Sequence, residues 1–375
     1  MTSRRILICL ILLGAALVAP TGRSAAPPTP QYERLKNSPA IDLATLKTLS
    51  TVVDTLAGKK IVYVGEEHDK VSHHQVQLEL LRSLHEQTPK IAVGMEMFQR
   101  PFQRVLDDYI AGVIDERTFL KQSEYFKRWS IDYHLYRPIL DFAKEQRLPV
   151  IALNVRREIV AKVAKGGLDS LSTEEKQEIP QELDLSDPEY RARLKEIFAA
   201  HRPSEQKNFE FFHQAQILWD EAMAESIDRF FKTHPDFRVL VLAGAGHLQY
   251  GSGIPKRSFR RNRFDYAIIL SDAEIKRDIA DFVVFPEASM GPMAPTLGIV
   301  LAEQNQTVSI TGFAKGSVAE KAGLRVDDTL VSLDDYPVSG IDDVRIILFY
   351  KHTGETIRVK TRRRGAELEF NVRLQ

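Results

Sequence analysis

The chain has 375 residues, and its 51 Lys+Arg balance 51 Asp+Glu to a formal net charge of zero. A balanced charge offers no global field for nucleic acid or an anionic membrane surface. Hydrophobic residues at 43% and charged residues at 27% exclude global disorder and suit two or three folded domains.

The first residues differ in texture from the rest. Arg4 and Arg5 precede an apolar run over 6–19, and small residues at Ser24-Ala25-Ala26 follow. This pattern predicts a signal peptide over 1–26 that is cleaved on export to the periplasm or cell envelope. The alternative is an apolar segment kept as an anchor. Cys9 is the only cysteine, and it sits near the start of the apolar run, so a lipid anchor is not expected. The mature chain then has no disulfide, no thiolate nucleophile and no Cys-ligated metal. Pro27, Pro28 and Pro30 mark residues 27–50 as a linker leading into a helix.

Residues 51–284 read as an α/β domain with a mainly parallel sheet and flanking helices. Five short Val- and Ile-rich runs, at 61–64, 91–94, 150–153, 238–242 and 266–270, lack strict alternation. Such runs suit strands buried on both faces. Amphipathic helices are expected at 71–86, 98–111, 135–146 and 206–232. The charged stretch 156–201, broken by Gly166, Gly167, Pro180 and Pro188, reads as a helical excursion or flap. Residues 285–295 (FPEASMGPMAP) form a linker. Residues 296–375, with short strands and one clear helix, form a small β-rich domain.

Four of the five strands run into polar residues. The first gives Gly65-Glu66-Glu67-His68, with His73 and His74 soon after. The second gives Gly94-Met95-Glu96, the third Asn154, and the fourth Gly244-Ala245-Gly246-His247. In an open parallel sheet the carboxyl ends of the strands share one rim, so these residues are expected to meet there. His and Glu are the side chains that ligate metals or shuttle protons. The glycines would permit sharp turns and close backbone approach. One of His73 and His74 is expected to face the rim and the other solvent. His85, His134, His201, His213 and His234 read as surface or satisfied core residues.

Phe209, Phe211, Phe212 and Trp219 have helical spacing and read as core. Lys256-Arg257 and Arg260-Arg261 read as a solvated face or as an anion site at the rim. Tyr250, Tyr133 and Tyr136 read as packed side chains, with a phenolate ligand to iron as the alternative. Gly251-Ser252-Gly253 lacks the setting of a nucleophile elbow, and there is no phosphate loop or dinucleotide fingerprint.

The runs VGEEHDKVSHHQVQ, GMEMFQRPFQ, IALNVRREIV, LWDEAMAESI and VLAGAGHLQYGSGIP resemble the ChaN-type haem-binding proteins of the Tiki/TraB/erythromycin-esterase-like superfamily. The resemblance spans about residues 55–272. It implies an α/β fold, haem binding in the cell envelope for iron uptake or haem handling, and a homodimer. In the Tiki branch it implies metal-dependent peptide hydrolysis, with His68, His247, Glu66 and Glu96 at the matching positions. The C-terminal region resembles a bacterial PDZ domain. Pro295, Thr296, Leu297, Gly298 and Ile299 match the carboxylate-binding loop and first strand, 316–324 the short helix, and 341–350 the long helix beside the groove. Asp327-Asp328 stands where Gly-Asp is usual.

The leading expectation is a binding protein. Haem would be held by His68, His247 or Tyr250, with Arg257 or Arg260 on its propionates, and Leu297, Gly298 and Ile299 would receive a peptide or protein C-terminus. The alternative is a metal-dependent hydrolase: a divalent metal ion on His68, His247, Glu66 and Glu96, one glutamate acting as base, and the PDZ-like module presenting substrate. A third reading is a scaffold whose rim is inert.

Overall fold

The computed structural model describes residues 43–200 and 208–375. The expected signal peptide with Cys9, residues 27–42 and His201 lie outside the described residues. The chain divides into two units between Leu46 and Lys47. The described part of the first contains one 3-10 turn, Leu43–Thr45.

The second unit opens with α1 (Leu49–Thr55), capped by the Thr48 hydroxyl. Then come β1 (Ile61–Glu66), α2 (Val71–Gln87) and β2 (Ile91–Gln99). Four helices, α3 (Gln103–Ile110), α4 (Glu116–Gln122), α5 (Tyr125–Arg128) and α6 (Arg137–Glu145), lead to β3 (Val150–Asn154). The next segment carries α7 (Arg157–Gly166), α8 (Thr173–Gln177), α9 (Pro188–Ala200) and the long α10 (Phe209–Thr233). The domain closes with β4 (Arg238–Gly244), α11 (Ile254–Asn262), β5 (Tyr266–Ser271) and β6 (Phe282–Val284).

The six strands pair in the order β3-β2-β4-β1-β5-β6, every pair parallel. Their side chains alternate between two cores. Val62, Val64, Val93, Met95, Leu240 and Leu242 pack under α2, α3 and α6. Ile61, Tyr63, Ala92, Val239 and Val241 pack under α10 and α11. Both faces are covered, so both parities must be apolar, which is why the strands read as unbroken runs. Among the described residues no helix is long and apolar enough to cross a membrane.

The strands and helices of the first sheet depart from expectation in three respects. β6 was not expected; it is three residues long, half-buried and at the sheet edge. The expected helix over 98–111 starts late, because β2 continues to Gln99 and Pro101 then opens a 3-10 turn. Glu96 accordingly lies within β2 and not beyond it. Between Met95 and Gln99 the pairing of β2 with β3 slips, with four steps on β2 facing two on β3. Such irregularities re-aim side chains.

The C-terminal region forms an antiparallel sheet in the order β12-β11-β9-β8-β7. Its elements are β7 (Ile299–Gln304), β8 (Thr307–Phe313), α12 (Val318–Lys321), β9 (Thr329–Leu333), β10 (Tyr336–Pro337), α13 (Ile341–Phe349), β11 (Thr356–Arg363) and β12 (Ala366–Arg373). Gly298 has φ +69°, and a Cβ there would lie 3.0 Å from the Ser317 Cα, so this turn requires glycine.

Candidate functional site

Strand register brings the first pieces together. β4 lies between β2 and β1, and Glu66 pairs with Gly244 across β1 and β4. Glu96 reaches over from β2, and its Oε2 accepts the Gly244 N–H at 2.7 Å. A Cβ on Gly244 would lie 3.0 Å from His68 Cε1. This glycine has φ −55°, so it is needed for space and not for backbone conformation.

Each histidine of the two Gly-x-x-His motifs is held through Nδ1 by a buried carboxylate. His68 Nδ1 is 2.7 Å from Glu66 Oε1, and His247 Nδ1 is 2.7 Å from Asp220 Oδ1. Tyr136 donates to Glu66 at 2.6 Å and Gln77 at 2.5 Å. Tyr190 donates to the other oxygen of Asp220 at 2.7 Å. A carboxylate on Nδ1 fixes the ring and raises the basicity of Nε2. His68 Nε2 makes no bond to the protein among the described contacts, and His247 Nε2 lies 3.5 Å from Glu96 Oε1.

The charges follow from this packing. Burial disfavours the His247 imidazolium, but Glu96 and Asp220 outweigh it and lift the pKa to about 9. His68 is raised too: burial opposes the charge, and Glu66 and Glu96 overcome it. Glu66 is lowered; burial pushes it up, and the His68 and Tyr136 hydrogen bonds and the nearby His74 prevail.

Both rings face a cavity of about 540 Å³, within the usual range for small-molecule sites. Trp129 stands edge-on to His68 with ring centres 4.8 Å apart, and Trp219 edge-on to His247 at 5.6 Å. Met97, Ile131 and Val155 add apolar lining, and Arg128 and Arg157 add charge. Arg128 is committed to Glu124, Glu158 and Gln99. Arg157 is exposed, and its guanidinium donates one bond, to the Lys127 carbonyl.

These residues fit a haem. The indoles offer broad apolar walls, the two Nε2 atoms are suitable donors to iron, and Arg157 has donors left for a carboxylate. Bound there, haem would supply the iron chemistry. The chain supplies orientation, an apolar wall and a proton on His247 Nε2 that must leave before that nitrogen can donate. A metal ion fits less well. Among the described residues no group of three or more His, Cys, Asp and Glu side chains is arranged to hold one. Glu66 is turned into its hydrogen bonds and Glu96 onto Gly244, so the set His68, His247, Glu66 and Glu96 finds no support as a metal site.

Several expected residues stand elsewhere. Arg257 is 1% exposed, and its guanidinium donates to the carbonyls of Ser252, Gly253 and Asp184, so it offers nothing to a propionate. Arg260 is bound to Glu221. Tyr250 is half-buried under the Arg193 guanidinium, 4.5 Å from its ring centre, and does not line the cavity. Tyr133 and Tyr136 are buried, and burial holds both phenols well above their ordinary pKa. Neither His73 nor His74 faces solvent. His73 bonds Asp272 and the Glu67 N–H, and His74 bonds Gln77 and the His68 carbonyl. Leu297 and Gly298 lead into β7, the edge strand of its sheet, and Ile299 is its first residue.

Asp220, Trp129 and Tyr190 were not singled out from the sequence. Asp220 left a trace there, because a carboxylate amid Ile217, Leu218, Ala222 and Met223 must have a buried partner. The chain has only two tryptophans, and both line this cavity.

A family model described as haem-binding uptake, Tiki superfamily, ChaN matches residues 52–257, and a PDZ model matches residues 295–374. Among curated proteins, the serine protease Do-like HtrA of Bacillus subtilis is 37% identical over 81 residues, 21% of this chain and 18% of its own length. Protein RETICULATA-RELATED 5, chloroplastic, of Arabidopsis thaliana is 23% identical over 282 residues, 66% of this chain and 36% of its own. The chain thus spans well under two thirds of either relative. Among solved structures, one described as cofacial heme binding to ChaN of Campylobacter jejuni aligns with TM-score 0.49 and 19% identity, covering 63% of this chain and 91% of that one.

Proposed function

Because the chain belongs to the ChaN family of haem-binding uptake proteins in the Tiki superfamily and ends in a PDZ domain, we propose that it binds haem in the cavity between Trp129 and Trp219. The observation that carries this reading is the pair of histidines, each held on Nδ1 by a buried carboxylate and facing one indole-walled cavity. Iron would be ligated by His68 or His247 through Nε2, and Arg157 would take a propionate. The PDZ groove, between the edge of β7 and α13, would take a peptide or a protein C-terminus. We place the protein in the periplasm or cell envelope after loss of residues 1–26, in haem or iron uptake and handling, as a homodimer.

The test is a haem titration of the protein, followed in the Soret region. Saturable uptake is expected. His68→Ala and His247→Ala should each change the band positions, and Asp220→Asn should weaken uptake by on the order of tenfold by releasing the His247 ring. Absence of a saturable Soret shift in the parent protein defeats the proposal.

A further inference from the structure

Helix α13 belongs to the PDZ domain, yet it is buried on two sides. Val344, Ile347 and Leu348 pack into the PDZ core. Ile346 and Phe349 pack into the core of the sheet domain. The helix lies against α4 and α5. Phe349 sits 5.3 Å from the Tyr133 ring and 4.2 Å from that of His134. Arg345 donates to the Phe126 carbonyl at 3.0 Å. Lys121 bridges to Asp342 and Asp343, and Tyr350 donates to Glu116 at 3.0 Å.

The surface that α13 grips is the back of the haem cavity. Phe126 belongs to α5, and the next residues but one, Arg128, Trp129, Ser130 and Ile131, line the cavity. The segment then returns to α13 at Tyr133 and His134. Asp132, between the two, accepts the Ala294 N–H from the interdomain linker at 2.7 Å. The indole wall therefore lies on a segment of about ten residues held from behind by the PDZ domain at both ends and by the linker between.

We propose that the PDZ domain positions the Trp129 wall, with Arg345 and Phe349 as positioning residues for the haem cavity. Neither touches the cavity; each acts on the segment that carries Trp129. The effect on haem rests on the functional reading above, whereas the placement of Trp129 does not. Removing the Arg345 hold loosens the α5 end of the segment, and shortening Phe349 loosens the Tyr133 end.

The test reads the wall directly. In a Trp219→Phe background Trp129 is the sole tryptophan, since the sequence has two. Acrylamide quenching of its fluorescence is measured with and without Arg345→Ala, Arg345→Lys and Phe349→Leu. Haem titrations are run on the same substitutions in the otherwise unchanged chain, with far-UV circular dichroism to verify the fold. Lys360→Ala, which removes an ion-pair partner of Glu369 on the PDZ sheet, serves as control.

Arg345→Ala and Phe349→Leu are expected to raise quenching and to weaken haem uptake roughly threefold to tenfold. Arg345→Lys should restore both in part, and the control should move neither. Unchanged quenching in both variants with a native fold overturns the proposal, and so does raised quenching with unaltered haem affinity. If the parent protein takes up no haem, the functional reading falls. Quenching alone then decides whether the PDZ domain places Trp129.

Discussion

His247 is the residue whose environment is most specific to this site. Its pKa is lifted from 6.5 to about 9 by Glu96 and Asp220 against the effect of burial. The folded chain thus holds this proton more tightly than the unfolded chain. The resulting stabilisation is complete below pH 6.5 and is lost as pH rises through about 9, to the extent of on the order of 3 kcal/mol. Thermal unfolding measured from pH 6 upward should show a melting temperature that falls across this interval, and His247→Gln should flatten the fall. Ligation through His247 Nε2 has the opposite trend, because deprotonation frees the donor; haem affinity should rise over the same interval. Gly244 is the second residue with a sharp expectation. Gly244→Val places methyls where His68 Cε1 lies 3.0 Å from the Cβ position. It should disturb the haem spectrum more than Gly65→Ala, whose Cβ would clash with Leu270 Cδ2 and lie 3.2 Å from the Ala245 Cα, neither of them a residue lining the cavity.

At the scale of elements, much was legible. Unbroken apolar runs identified five of the six strands of the first sheet, because two covered faces leave no polar parity. The motifs after them identified His68 and His247 as rim residues, because strand ends converge. What the sequence concealed depends on three-dimensional partners. Arg257 looked like an exposed anion site from its basic neighbours, but α11 turns it inward onto carbonyls and toward Glu221. Trp129 carries no local signal of its role, since its place comes from the helix packed behind it. β6 was hidden by its three-residue length at the edge. At the other edge, β3 is protected by one side chain. Gln103 donates to the Val150 carbonyl and accepts from the Ala152 N–H, both at 2.7 Å, as a neighbouring strand would. Gln103→Ala should cost about 1 kcal/mol. It should also speed hydrogen exchange at Ala152 and increase association between chains through the exposed edge.

At the scale of the molecule, the PDZ domain is not an appendage on a tether. Ile346 and Phe349 complete the core of the neighbouring domain, and Lys121, Arg345 and Tyr350 lace the boundary. Calorimetry should therefore show a single cooperative transition for both domains. Phe349→Ala, which removes a PDZ side chain from the sheet-domain core at a cost of about 3–5 kcal/mol, should lower that transition and split it in two. Separate transitions in the parent protein would contradict a shared core.

The two-sided burial of α13 also bears on how such a chain can vary. A helix that serves one domain can drift with that domain's needs, but α13 buries positions 344, 347 and 348 in the PDZ core and positions 346 and 349 in the core of the sheet domain. Substitutions there must satisfy both neighbours, and a PDZ domain grafted from another protein would leave Phe126 and Tyr133 without their cover. The two domains should therefore tolerate exchange together better than exchange of either one alone.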